Sequence, residues 1–102
     1  MKVIVQAAPF FNLLSKQWTV PILYRLSEDG TYFNELKRDL SGISAKVLSE
    51  RLRELELWGF LVRKDEGNKV HYSLSKVGGE LHGNLKYLDD WLVSWFTAPP
   101  KL

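Results

Sequence analysis

Lys46, Ser49, Glu50 and Arg53 recur at spacings of three and four residues, so a helix running through them presents all four on one side. A face of that kind suits hydrogen-bonding chemistry rather than covalent chemistry. Arg53 offers a two-donor fork, Lys46 an ammonium, Ser49 a hydroxyl that donates or accepts, and Glu50 an acceptor. These groups match the edges of nucleic-acid bases: arginine pairs with guanine, lysine reaches guanine or phosphate, and glutamate accepts from a cytosine amino group. The same mixed charge is also what a merely solvated helix face shows, with Lys46 and Glu50 paired at i, i+4.

Positioning such a face requires a helix with a defined start and a buried side. Ser44 is placed to cap that start by accepting from free backbone amides. Counting 100° per residue, Leu48, Leu52 and Leu55 fall within about 60° of one another and hold the helix to a core. Leu57 lies with the outer residues, and Trp58 follows it, leaving an apolar patch at the helix end that either packs internally or meets a partner. Ahead of it, Phe33, Leu36 and Leu40 recur at i, i+3, i+7, which predicts another helix, opened by Asn34 and Glu35 and closed by Lys37 and Arg38 in agreement with the helix dipole. The tight turn Ser41-Gly42-Ile43 joins the two, so residues 33 to 59 read as a helix-turn-helix.

Gly59 supplies a C-terminal cap, after which 60–63 and 69–74 have the β-rich, partly alternating look of two strands with Gly67-Asn68 at the hairpin tip. Thr31-Tyr32 is long enough for a minimal strand. Upstream, a short helix is expected over about residues 8–14 and another from Trp18 to Glu28, with Trp18, Ile22 and Leu26 on one stripe and Pro21 near its first turn. From Val77 onward, Leu81, Leu85, Leu88, Leu92, Trp95 and Phe96 fall within about 100° of arc and predict a long amphipathic helix despite the glycines at 78, 79 and 83. The expected class is α+β, mainly helical, in the order helix, helix, short strand, helix, helix, β hairpin, helix, which is that of a winged helix-turn-helix. Residues 1–97 are expected to form one domain and 98–102 a flexible tail.

The last stripe serves either as core or as an interface between copies. Four tryptophans in 102 residues, with Trp91 and Trp95 close to the chain end, exceed what so small a core covers, which favours association through Leu85, Leu88, Trp91, Leu92, Trp95 and Phe96. Composition bounds the rest. With 45% apolar and 25% charged residues the chain is an ordinary globular domain, and its net charge of +2 permits nucleic-acid binding without arguing for it. The absence of cysteine excludes disulfides, thiol catalysis and zinc–thiolate sites. No apolar run approaches the roughly 18 residues of a membrane span, and the first eleven residues make an unconvincing signal peptide, so a cytoplasmic protein with no membrane partner is expected. His71 and His82 lack partners at metal-ligand spacing and are expected at the surface. Asp89 and Asp90 point about 100° apart on a helix. No glycine-rich phosphate loop is present, so neither a metal, a cofactor nor a catalytic residue is expected.

The segment FNELKRDLSGISAKVLSERLRELELWGFLVR resembles the core signature of HxlR-type transcription regulators. KQWTVPILYRL is similar to the family's lysine-tryptophan-threonine helix, and VHYSLSKVGGEL to its wing strand and the start of its dimer helix, so residues 11 to 96 are covered. The resemblance implies a small homodimeric regulator of double-stranded DNA, with Ser44, Lys46, Ser49, Glu50 and Arg53 on the recognition helix and Lys37, Arg38, Lys64, Asn68 and Lys69 at phosphates. Three departures bear on it. Family members often carry a reactive N-terminal cysteine, which this chain lacks; the loop Asp65-Glu66-Gly67-Asn68 is short and begins with acids, implying shallow backbone contact by the wing; and Leu57-Trp58 stand where polar residues are usual. A winged helix devoted to protein contacts or to an architectural role remains an alternative, as does a neighbouring winged-helix family of MarR or PadR type. A small-molecule effector stays open: the space between the helix bearing Trp18 and the last helix suits an aromatic ligand, but its aromatic lining is equally that of a packed core.

Overall fold

The computed structural model describes the backbone of residues 2–101 and the side chains of residues 7–101. Five helices and three strands follow one another as α1 (Lys2–Ser15), α2 (Thr19–Arg25), β1 (Thr31–Tyr32), α3 (Phe33–Asp39), α4 (Ala45–Leu57), β2 (Leu61–Asp65), β3 (Val70–Leu74) and α5 (Lys76–Trp95). The expected order of elements is the one observed. The sheet is antiparallel in the order β1-β3-β2, with Tyr32 opposite His71 on one side of β3 and Lys64 opposite His71 on the other. Gly30, at φ 79°, lets the chain reach this sheet, because a Cβ there would stand 2.4 Å from the Tyr72 carbonyl oxygen.

The boundaries differ most from the sequence expectation at α1 and α2, while β2 runs on to Asp65 rather than residue 63. α1 begins at Lys2 rather than near residue 8 and carries Pro9 within it. α2 starts one residue later and ends three residues earlier than expected. Trp18 takes the left-handed conformation at φ 80° and is the residue before the helix rather than part of its stripe, though it packs against the core. At the other end Leu26 is extended, and the next residue turns to the sheet, its carbonyl accepting from the Leu74 amide at 2.9 Å. The tie to β3 stops a helix that local propensity alone would have continued.

One core joins the five helices to β2 and β3. Ile22, Leu23 and Leu26 of α2 and its end, Leu36 of α3, and Leu48, Leu52 and Leu55 of α4 are essentially sealed from solvent, with Leu61, Tyr72 and Leu74 closing the sheet side. Fully burying each leucine contributes roughly 1.5–3 kcal/mol, so α4 is held chiefly by its inner stripe and its outer face is free to be polar. α5 lies on this core through Leu81 and Leu85, and Tyr24 donates from its hydroxyl to the Leu85 carbonyl at 2.9 Å. No helix among the described residues is long and apolar enough to cross a membrane.

Candidate nucleic-acid interface

The turn before α4 closes with the Ile43 amide donating to Leu40 at 3.1 Å, Gly42 at φ 97° and Ile43 buried. Ser44 then caps α4, its hydroxyl oxygen accepting from the Val47 amide at 3.1 Å. Beyond the cap, Lys46, Ser49, Glu50 and Arg53 are all exposed, on the side away from the buried leucines. The Lys46–Glu50 pair of the solvated-face alternative is not formed, and neither Lys46 nor Arg53 has an ion-pair partner among the described residues. The acid that does pair on α4 is Glu54, bonded to Lys16 and, at 2.8 Å, to Arg51.

Arg51 escaped the sequence reading. Half-buried, it donates through Nε to the Gln17 carbonyl at 3.0 Å while its Nη1 meets Glu54. Lys16, Gln17 and Trp18 make the turn between α1 and α2, so this turn is pinned to the same helix that carries the polar face. The one signal in the sequence was the i, i+3 spacing of Arg51 and Glu54.

Lys37 and Arg38 are exposed in the last turn of α3. Lys64 stands exposed on β2, and Lys69 leads into β3 with its ammonium 4.2 Å from the centre of the Tyr32 ring. The hairpin tip is compact: the Glu66 amide donates to Lys69, the Asn68 amide to Glu66, and the Gly67 amide to the Asp65 carboxylate at 2.9 Å. Asp65 also faces Arg63 at 3.6 Å, and Glu66 accepts from the Tyr32 hydroxyl at 3.0 Å. Both tip carboxylates are therefore tied back rather than loose at the end of the wing.

Of the stripe expected at an interface, Leu88, Trp91, Leu92, Trp95 and Phe96 are exposed, with Trp95 at 72%, whereas Leu85 is half-buried on the core. Phe96 follows the helix in extended conformation. Trp58 stacks on Phe60 and meets Phe10, while its neighbour Leu57 is 75% exposed. The patch thus packs in part and projects in part. Both histidines prove half-buried instead of superficial, His71 edge-on to Tyr32 and His82 edge-on to Tyr24, because aromatic neighbours cover them. The Tyr24–His82 contact also bridges α2 and α5, as in the packed-core alternative for the space between them, and a groove of about 280 Å³ lies between α1 and the end of α4.

A capped, outward-facing helix behind a tight turn, backed by a three-stranded wing, defines a winged helix-turn-helix, the architecture of proteins that lay one helix in a DNA groove. Residues 13–99 match the family described as HxlR-like helix-turn-helix. The chain belongs to that family of DNA-binding transcription regulators. It is 38% identical over 96 residues to BH0655 of Halalkalibacterium halodurans, covering 87% of this chain and 85% of the relative, and 34% identical over 87 residues to YvaP of Bacillus subtilis, covering 82% and 81%. Both are named as HTH-type transcriptional regulators. The crystal structure of quinone-bound YodB from B. subtilis superposes with a TM-score of 0.78 at 29% identity, over 88% of this chain and 97% of that one.

Proposed function

We propose that the protein acts in the cytoplasm as a homodimer on a near-palindromic DNA operator, with α4 of each copy in a major groove and α5 joining the copies. Residues 1–97 act as one domain and 98–102 as a tail. The observation that carries the reading is the division of α4: three leucines sealed in the core, and Lys46, Ser49, Glu50 and Arg53 exposed, with the two cations free of ion pairs among the described residues. A major groove about 12 Å wide admits such a helix. Arg53 pairs with guanine through two donors, Lys46 reaches guanine or phosphate, Glu50 accepts from cytosine, and Ser44 and Ser49 add hydroxyls. Lys37, Arg38, Lys64, Asn68 and Lys69 contact phosphates, which give affinity and register but no sequence information.

A mobility-shift titration against DNA from upstream of the protein's own gene and a scrambled duplex, at two salt concentrations, tests this. Preference for the native duplex that survives added salt, with Arg53→Ala losing about 1–3 kcal/mol, is the expected result. Equal, salt-sensitive binding to both duplexes leaves an architectural binder. The exposed apolar side chains Leu57 and Trp58 favour the second reading, a winged helix used for protein contacts, and no binding to either duplex would select it.

A further inference from the structure

Tyr32 ends β1 and is the residue immediately before α3, the first helix of the helix-turn-helix, and its side chain is engaged by the hairpin. Its ring meets His71 edge-on, with centroids 5.1 Å apart. The Lys69 ammonium lies 4.2 Å from the ring centre, close enough for cation–π attraction, and the hydroxyl donates to Glu66 at 3.0 Å. We infer that Tyr32 is the positioning residue of the wing, gripping its tip and keeping the Glu66 carboxylate tied to the sheet while the protein meets DNA. The consequence for DNA rests on the function proposed above; the grip itself does not.

Two features make this grip matter. β1 has only two residues, so the ladder it forms with β3 is short, and the hydrogen bonds inside the tip shape the tip without fixing its attitude to α3 and α4. The second is charge. The tip carries Asp65 and Glu66 among Lys64 and Lys69, and Asp65 is already occupied by the Gly67 amide and by Arg63. Among the described residues, Glu66 has the Tyr32 hydroxyl as its side-chain partner. A carboxylate released from that hydroxyl is free to approach phosphates within a Debye length of about 8–10 Å, where it repels them and competes for the neighbouring ammonium groups.

Tyr32→Phe removes the hydroxyl and keeps the ring, so the contacts to Lys69 and His71 remain. In the DNA-free protein, heteronuclear NOE values at residues 66–69 should fall relative to wild type. Affinity for the upstream duplex should drop roughly three- to tenfold at about 50 mM salt, the gap closing as salt rises. Adding Glu66→Gln to Tyr32→Phe should return affinity to that of Glu66→Gln alone, because the freed side chain then carries no charge. Unchanged tip relaxation with unchanged affinity overturns the inference, as does an equal loss in the Glu66→Gln background. Should the wild type bind no duplex, the functional reading falls separately and the relaxation values alone decide the grip.

Discussion

Gly78 and Gly83 occupy the same helix and look alike in sequence, yet their surroundings call for opposite substitutions. A Cβ on Gly78 would stand 2.0 Å from the Phe60 carbonyl oxygen, at the point where the start of α5 is latched onto the approach to β2. Ser75 builds that latch: its hydroxyl donates to the Gly59 carbonyl and accepts from the Gly78 amide, and its own amide donates to Phe60. Gly83 has nothing within 4 Å of the corresponding position. Alanine in a helix interior is favoured over glycine by about 0.5–1 kcal/mol, so Gly83→Ala should raise the unfolding free energy by that amount, read as a higher urea midpoint. At Gly78 the same propensity gain is overridden by backbone that must move, and Gly78→Ala should lose about 1–3 kcal/mol. Equal effects at the two sites would mean that the close approach of α5 to Phe60 does not hold in solution.

At the scale of elements, the turn between α1 and α2 is fastened to α4 by Glu54, which takes Lys16 on one oxygen and Arg51 on the other. Burial alone would raise the Glu54 pKa, but the hydrogen bonds and charges of Lys16 and Arg51 outweigh it and hold the group below its usual 4.5. A folded-state pKa below the unfolded one means that the unfolded chain binds the proton more readily. The stabilisation is therefore full above about pH 4.5 and is lost as pH falls through the lowered folded value. Glu54→Gln should be less stable than wild type at pH 7, with the difference shrinking in acid; urea unfolding of both proteins at pH 7 and below pH 4 reads this directly, and a gap that does not change with pH would remove Glu54 from the latch. The same element shows what sequence could and could not reveal. The inner stripe Leu48, Leu52 and Leu55, the Ser44 cap and the outer polar face were legible because period and capping act within a few residues. Arg51 and Tyr32 were not, since their partners Gln17 and Glu66 each lie 34 residues away in the chain. The early end of α2 was hidden for the same reason, being set by a hydrogen bond between residue 27 and Leu74.

For the whole molecule the question is what covers α5. Its first half is anchored by Leu81 and Leu85, but Leu88, Trp91, Leu92, Trp95 and Phe96 stand exposed beyond them, a large apolar surface for a chain of 102 residues. Leaving that much aromatic area in water is unfavourable at about 25 cal/mol per Å², and in the proposed dimer a second copy would supply an identical face about a twofold axis. The wild type should therefore sediment at twice its 11.8 kDa at micromolar concentration, and replacing Trp91 and Trp95 by serine should yield a monomer that still folds, because neither residue belongs to the buried core. The operator follows from the same axis. In the proposed dimer two α4 helices would enter successive major grooves about 34 Å apart, so inserting roughly five base pairs between half-sites should turn one half-site to the far side of the duplex and abolish tight binding. The tryptophan double variant should bind both spacings equally and weakly, since a lone α4 has no second groove to register against. A wild type that sediments as a monomer would remove the twofold axis and the palindrome together, leaving α4 to read a single half-site.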